Sequence, residues 1–324
     1  MKRLLSALVT VAAVLALAGS GAASAQGRYP SKPVRIVVPF ATGGATDFIA
    51  RFLADRLTRR TGQPFIVDNR VGAGGVIGIQ SVFTSPPDGY TLLVASGSYA
   101  VNPAVMKLPY DSVRDAAPVV NVTFGPVGFV VHPSLPVNTL GELIAHLRAN
   151  QGKLNYASAG MGNVTHLAME AFLADTGTSM VHAPYKGMAP ALTGLAGGEV
   201  QVGLTDIGSA QALVSAGRIK MIAVGGTRRL AQFPNVATTA ESGYPQLIAG
   251  VWQGMFAPAG TPPALIDELN AHVNEILRDK EAVEQLTARF QTPIGGTPAA
   301  FGATLKADIE RFGEVARKAN IKVE

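Results

Sequence analysis

The sequence predicts an α/β fold of two lobes with a ligand cleft between them. Short apolar, β-branched segments alternate with amphipathic helical segments, and this order restarts near residue 125. A glycine-containing turn between a strand and a helix occurs twice, at residues 42–47 and 158–163. Alternating strands and helices form parallel sheets with helices on both faces. The 324 residues are enough for two such domains.

The first 25 residues have the order of a secretory signal peptide. Lys2 and Arg3 are followed by an apolar run over residues 4–18 and by the small-residue triplet Ala23-Ser24-Ala25. The run is too short for a comfortable membrane span, which disfavours the alternative of an uncleaved anchor helix. We expect cleavage after Ala25 and export to the periplasm.

The first strand–turn–helix unit lies close to the predicted mature start. A β-branched strand at residues 36–38 leads into Thr42-Gly43-Gly44, and a helical pattern follows from Phe48. Glycine lets the backbone approach a ligand closely, and the first N–H groups of a helix have no intrahelical acceptor. The turn is therefore a candidate site for a small anion. The alternative is a tight turn that binds nothing.

The remaining elements follow in the same alternating order. Further strands are predicted at residues 65–67, 92–95, 118–124, 127–131, 154–157, 181–183, 200–204, 221–224 and 251–257. Further helices are predicted at residues 76–83, 139–147, 164–175, 190–195, 209–216, 262–277, 282–290 and 298–319. The segment with Asn102-Pro103 is interpreted as a turn.

The helical tail packs most simply against the first half of the chain. This predicts one lobe from residues 26–125 plus 246–324, and a second lobe from residues 126–245. Ligands of open α/β sheets bind beyond the carboxyl ends of the strands, where both glycine turns are expected.

Composition and motifs exclude several functions. The chain has no cysteine, which excludes disulfides, thiolate metal sites and cysteine nucleophiles. The dinucleotide fingerprint, the phosphate-binding loop, the paired-histidine zinc motif and the hydrolase nucleophile motif are all incomplete or missing. With 27 basic and 22 acidic residues and no dense basic stripe, nucleic acid is a poor partner. We expect no catalytic residue, metal or cofactor.

Three titratable residues are candidates for the cleft, each with a structural alternative. Asp47 falls in a first helical turn, where the helix dipole favours a carboxylate. Asp206 follows a strand and could hold a ligand amino group or cap the next helix. His166 lies one turn into a helix and could contact a ligand, although bracing the preceding turn is the favoured interpretation.

Several segments together resemble the extracytoplasmic solute receptors of the tripartite tricarboxylate transporter family, the Bug or TctC proteins. The matching segments begin with Tyr29-Pro30-Ser31-Lys32-Pro33-Val34-Arg35, Gly43-Gly44-Ala45-Thr46-Asp47 and Asn69-Arg70-Val71-Gly72-Ala73-Gly74-Gly75. They continue with Pro87-Asp88-Gly89-Tyr90-Thr91-Leu92-Leu93, Leu108-Pro109-Tyr110-Asp111, Tyr156-Ala157-Ser158, His182-Ala183-Pro184-Tyr185-Lys186-Gly187 and Ala257-Pro258-Ala259-Gly260-Thr261-Pro262. The resemblance covers essentially the whole predicted mature chain.

The resemblance implies a two-lobed periplasmic binding protein of the Venus-flytrap, type II-like fold, which closes on a small carboxylate and delivers it to a membrane permease. A monomer is expected. The binding positions that the resemblance implies are Thr42, Gly43, Gly44, Ser96, Ser158, Gly162, Asn163, Thr205 and Asp206. The family usually has Pro-Pro or Pro-Ala before the glycine pair. This chain has Ala41-Thr42 instead, which predicts an additional hydroxyl at the pocket.

Two other functions remain open at this point. A sensor that signals through a membrane partner would use the same site, so the residues do not distinguish it from a transport receptor. A secreted two-domain enzyme would require turnover of the ligand. The missing catalytic motifs weigh against the enzyme.

Overall fold

A computed structural model describes residues 29–318 and 321, and within them the chain forms ten strands and ten α-helices. The strands are β1 (Val34–Val38), β2 (Phe65–Asn69), β3 (Thr91–Ser96), β4 (Ala116–Val131), β5 (Asn155–Ser158), β6 (Val181–Pro184), β7 (Val202–Asp206), β8 (Lys220–Val224), β9 (Gly250–Pro258) and β10 (Thr292–Gly295). The helices are α1 (Ala45–Thr61), α2 (Val76–Phe83), α3 (Ser98–Val105), α4 (Leu140–Ala149), α5 (Val164–Thr176), α6 (Met188–Gly197), α7 (Ile207–Ser215), α8 (Pro263–Arg278), α9 (Lys280–Thr287) and α10 (Pro298–Lys318). The predicted signal peptide lies outside the described residues.

The strands pair in the order β2-β1-β3-β9-β4-β7-β5-β6, with β8 and β10 also paired to β4. We call β1, β2, β3, β9, β10 and residues 116–126 of β4 the first half-sheet. The second half-sheet consists of β5, β6, β7, β8 and residues 127–131 of β4. The chain thus has the predicted two-lobe α/β fold.

Strand β4 is shared by the two half-sheets. Residues up to Pro126 pair with β9, and the residues from Val127 onward pair with β7 and β8. Pairs β1–β2, β1–β3, β5–β6 and β5–β7 are parallel, as predicted. The pairings of β4 and β9 are antiparallel, so the sheets are mixed and the prediction of parallel sheets holds only for part of them. These two strands connect the halves directly, without the helical crossover that parallel neighbours require.

Two short elements were missed from the sequence. Helix α3 occupies the segment interpreted as a turn at Asn102-Pro103, and it contains Pro103. Its residues Tyr99, Ala100 and Val101 are almost completely buried, so burial of an apolar face outweighs the cost of an internal proline. Strand β10 adds to β4 opposite Asn121–Phe124, a pairing that no local pattern indicated.

The two halves touch across the cleft. The N–H of Ala41, which follows β1, donates to the carbonyl of Lys186, which follows β6, at 3.1 Å. The N–H of Val164 at the start of α5 donates to the hydroxyl of Ser98 at the start of α3, at 3.2 Å. The structure therefore has the halves in a closed arrangement. The residue boundaries of the lobes near 125 and 245 stay a prediction.

Candidate functional site

A cavity lies between the halves, at the starts of α1 and α5. Its volume is about 50 Å³, and one water needs roughly 10–15 Å³ by this measure, so the closed cleft has space for a small ligand only. Its lining includes Gly44 and the polar residues Thr46, Asp47, Ser96, Ser98, Asn163, Thr165, Asp206 and Gln253. Both predicted turns contribute to this lining.

Asp47 braces the first turn. Its carboxylate accepts the Gly43 N–H at 3.0 Å, the Asn69 amide at 2.9 Å and the Arg51 Nε–H at 3.0 Å. Burial raises the pKa of Asp47, but these hydrogen bonds and the Arg51 charge outweigh it, so the pKa is lowered. Gly43 has φ +92°, a conformation that suits glycine. Asp47 therefore holds the turn, and the Gly43 N–H is already used within the protein.

The donors directed at the cavity come next along the chain. Gly44 is the N-cap of α1, in an extended conformation with φ −85°. The first N–H groups of α1 have no intrahelical acceptor, and Gly44, Ala45 and Thr46 all line the cavity. The Thr46 hydroxyl donates to Oε1 of Gln253 on β9 at 2.9 Å. The helix start thus presents main-chain donors and partial positive charge to the cavity.

The second turn ends in a capped helix. Asn163 is the N-cap of α5, and its Oδ1 accepts the Thr165 N–H at 2.9 Å and the Thr165 hydroxyl at 3.1 Å. The Thr165 hydroxyl also accepts the Ala159 N–H at 3.2 Å. The side chains of Asn163 and Thr165 thus lock this turn against α5.

Ser96 and Ser98 connect the first half to this helix. The Ser96 hydroxyl donates to the Ser98 hydroxyl at 3.1 Å, and the Ser98 hydroxyl accepts the Val164 N–H. Both serines are almost fully buried and line the cavity. One donor at the start of α5 is therefore satisfied from the opposite half when the halves are in contact.

Buried His166 and half-buried His182 support the second turn from behind. The Gly162 N–H donates to Nδ1 of His166 at 3.3 Å, and His182 Nε2 lies 2.6 Å from the Ser158 hydroxyl. The rings of His166 and His182 stack with centroids 4.1 Å apart, and Tyr156 stacks on the other face of His182 at 4.8 Å. Burial lowers the pKa of His166, and burial with the neighbouring His166 lowers that of His182 to about 4. Both rings are therefore neutral at pH 7.

Asp206 lines the cavity and caps a helix. Its Oδ1 accepts the Ser209 N–H at 2.8 Å, at the start of α7. Burial raises the pKa of Asp206, against the opposing effects of the Ser209 hydrogen bonds and the Arg289 charge. Both interpretations of Asp206 are thus compatible with its position, because one carboxylate can cap α7 and face a ligand.

The structure separates the predicted site residues into two groups. Those in the cavity lining are Gly44, Asp47, Ser96, Asn163 and Asp206. Those outside that lining are Thr42, Gly43, Ser158, Gly162, His166 and Thr205. Thr42 is exposed, and Thr205 is buried with its hydroxyl donating to the Asp206 carbonyl. Ser158, Gly162 and His166 support the second turn from outside the lining.

Sequence reasoning missed four polar residues of the lining: Thr46, Ser98, Thr165 and Gln253. Gln253 is 3% exposed and interrupts the apolar strand Val251-Trp252-Gln253-Gly254-Met255-Phe256. A polar residue within a buried strand needs a hydrogen-bond partner, and that signal could have identified Gln253. Ser98 gave no such signal, because its segment was interpreted as a loop.

The cavity offers donors without a basic side chain. Of the described residues that line it, none is Lys, Arg or His. Helix starts from both halves converge on it, and such termini bind carboxylates and phosphates. Among the described residues, no group of three or more His, Asp or Glu side chains could hold a metal ion. The described helices also include none long and apolar enough to cross a membrane.

Two α/β halves that share a strand and enclose a cavity between helix starts define a two-lobed binding protein. Comparison with known proteins identifies the family. The model of the tripartite tricarboxylate transporter family receptors (TctC) matches residues 49–320. The chain belongs to this family.

Individual relatives agree with this assignment. Protein BugT of Bordetella pertussis is 37% identical over 320 residues, covering 98% of each chain. The structure of Rpa4515 from R. palustris with adipate has a TM-score of 0.87 at 33% identity, over 91% of this chain and 99% of that one. MatC from Rhodopseudomonas palustris with bound malate has a TM-score of 0.84 at 29% identity, over 89% of this chain and 99% of that one.

Proposed function

We propose that this protein is a periplasmic receptor that encloses one small carboxylate between its lobes and delivers it to a membrane permease. The observation that carries the proposal is the convergence of two helix starts, one from each half, on a cavity lined by no basic side chain. Main-chain N–H groups and the helix dipoles supply the positive potential that a carboxylate requires. The adipate and malate bound by two relatives support this ligand class.

Closure of the lobes couples binding to a change of shape. The starts of α1 and α5 belong to different halves, so a ligand lies against both only when the halves are together. A ligand that binds the closed form better shifts the population toward it. The cross-cleft hydrogen bonds at Ala41 and Ser98 are the contacts that closure adds. A permease can then recognise the closed form, and the predicted export signal accounts for a periplasmic location.

The test is a thermal-shift screen of the mature protein against small mono-, di- and tricarboxylates, followed by titration calorimetry. A ligand that binds only the folded state raises the unfolding temperature by mass action. We expect one site per chain and recovery of the unchanged ligand by mass spectrometry. Conversion of more than one equivalent would favour an enzyme, and the absence of any carboxylate ligand would overturn the proposal.

Delivery needs its own experiment. Vesicles that contain the cognate permease should accumulate labelled ligand only when the receptor is present on the binding side. Uptake that is equally fast without the receptor would contradict a transport role.

A further inference from the structure

Another cavity lies where the two halves meet, and it shares only Phe40 and Ala159 with the lining of the ligand cavity. Its volume is about 240 Å³. One wall is the glycine-rich segment 72–75, which follows β2 in the first half, and the other includes Met161 and Lys186 of the second half. Because its walls belong to different halves, this cavity is complete only when the halves are closed.

Exposed apolar side chains from both halves border this cavity. Val71, Ile77 and Met161 are 37%, 54% and 44% exposed. A Cβ on Gly72 would collide with Cδ1 of Ile77, and a Cβ on Gly74 would collide with the carbonyl oxygen of Met161. Ile77, the glycine-rich segment and Met161 are therefore contiguous across the boundary between the halves. Contiguous exposed apolar side chains are typical of interaction sites.

Two exposed cations accompany these apolar side chains, one from each half. Arg70 directly precedes Val71, and Lys186 lines the cavity. Arg70 pairs with Asp68 at 2.8 Å, whereas among the described residues no carboxylate pairs with Lys186. We call Arg70, Val71, Ile77, Met161 and Lys186 the rim surface. Its positive charge is complementary to an acidic partner.

The rim surface suits a protein partner better than a lipid surface. Recognition of anionic lipid by basic residues usually requires a cluster of about four to eight of them, and the rim surface has two. A protein segment that contacts Ile77 and Met161 together can also distinguish the closed receptor from the open one, because closure brings these residues to one surface.

We infer that the rim surface docks an acidic segment of the membrane permease that carries an apolar side chain, and that this docking site is complete only in the closed receptor. The inference rests on the proposed function and adds the surface that the permease contacts. The apolar side chain enters the cavity between the glycine-rich segment and Met161, and the carboxylates lie against Arg70 and Lys186.

The test is co-sedimentation of the mature receptor with vesicles that contain the cognate permease, and with vesicles of the same lipids alone. Both are measured with and without the carboxylate that the thermal-shift screen selects. We expect the liganded receptor to bind the permease vesicles about tenfold or more tightly than the unliganded one, since the closed form is a minor population without ligand. Equal binding to the lipid vesicles would overturn the inference.

One substitution in each half tests whether both contribute. Ile77→Asp and Lys186→Glu should each weaken docking of the liganded receptor by about tenfold or more, because each sets a negative charge against an acidic partner. Neither side chain lines the ligand cavity, so the affinity for the carboxylate should stay parental by calorimetry. The Lys186 carbonyl, which accepts the Ala41 N–H, is retained.

Each substitution has a matched control in the same half. Ile66→Asp changes a residue that is also 54% exposed but lies near the start of β2, whereas the rim surface follows the end of that strand. Lys153→Glu reverses an exposed charge that precedes β5. Lys186 follows β6, which is parallel to β5, so the two lysines lie at opposite ends of the second half-sheet. Both controls should dock as the parent does.

The outcomes separate this inference from the proposed function. Parental docking by Ile77→Asp or by Lys186→Glu would overturn a docking site built from both halves. A fall in carboxylate affinity that matches the loss of docking would also overturn it, because the substitution would then act through closure. A liganded parent receptor that binds no permease vesicles contradicts delivery itself, and with it the proposed function.

Discussion

The hydroxyl of Ser98 accepts the main-chain N–H of Val164 at 3.2 Å, and the two residues start helices on opposite sides of the cleft. The bond uses one of the donors that α5 directs at the cavity. Because it joins the halves directly, it stabilises the closed form, and any ligand that requires closure benefits from it.

Ser98→Ala should therefore weaken ligand binding without unfolding the protein. A neutral hydrogen bond contributes about 1 kcal/mol net, which corresponds to roughly fivefold in affinity. Titration calorimetry with the carboxylate found by screening measures the effect. Ser85→Ala is the control, since its hydroxyl donates to Ser81 on α2, outside the cavity lining. If both variants bind as the parent does, the Ser98 bond contributes nothing to closure.

Gly44→Pro should abolish one main-chain donor and leave the turn intact. Gly44 has φ −85°, close to the value that proline imposes, so the substitution chiefly removes the N–H. Loss of a donor to a charged oxygen should cost about 1.5–3 kcal/mol, or roughly 10–100-fold in affinity.

Gly44→Ala is the matched control for that substitution. It retains the N–H, and its new Cβ would lie 3.8 Å from Met188 Cβ, an ordinary contact. Calorimetry should show near-parental binding for alanine and a large loss for proline. Equal losses for the two variants would mean that the Gly44 N–H does not contact the ligand.

Gly74→Ala should impair closure more than it impairs folding. Gly74, in the first half, has φ +62°, and a Cβ there would collide with the main-chain carbonyl oxygen of Met161 in the second half. Gly177→Ala at φ +63° is the control, because a Cβ there meets nothing within 4 Å.

Each substitution places an alanine in the left-handed conformation, which costs about 1–2 kcal/mol. Chemical denaturation should therefore show similar losses of stability for the two variants. Calorimetry should show weaker binding for Gly74→Ala alone. Weakening by both variants to the same extent would remove the contact with Met161 as the cause.

The histidine stack should make stability depend on pH. His182, with a pKa of about 4, and His166, with a lowered pKa, bind fewer protons folded than unfolded. The Glu170 charge opposes the lowering at His166, and His166 reinforces it at His182. Their stabilising contribution is complete above the ordinary value of about 6.5 and is lost as the pH falls from there toward 4.

Urea denaturation at a series of pH values between 4 and 7 tests this dependence. His182→Gln keeps a side chain that can bond to Ser158 and removes one titrating ring. The slope of unfolding free energy against pH should fall by up to about 1.4 kcal/mol per pH unit for one proton. An unchanged slope for His182→Gln would contradict the lowered pKa of His182 in the folded protein.

Local patterns were sufficient for most of the elements and for the two glycine turns that border the cavity. Apolar strands followed by glycine turns predicted helices that begin beside Gly44 and Asn163, and these residues are the N-caps of α1 and α5. A helix start leaves N–H groups without intrahelical acceptors whatever surrounds it. The same reasoning assigned Asp206 to a strand end and a helix cap. These features depend on a few consecutive residues, and the sequence by itself determined them.

Only the tertiary structure decided which groups meet in the cavity. The Gly43 N–H is occupied by Asp47, the start of α5 is contacted by Ser98, and Gln253 reaches Thr46 across 207 positions of sequence. Such pairings depend on how the two halves close and on which buried groups need partners, and no local periodicity encodes them.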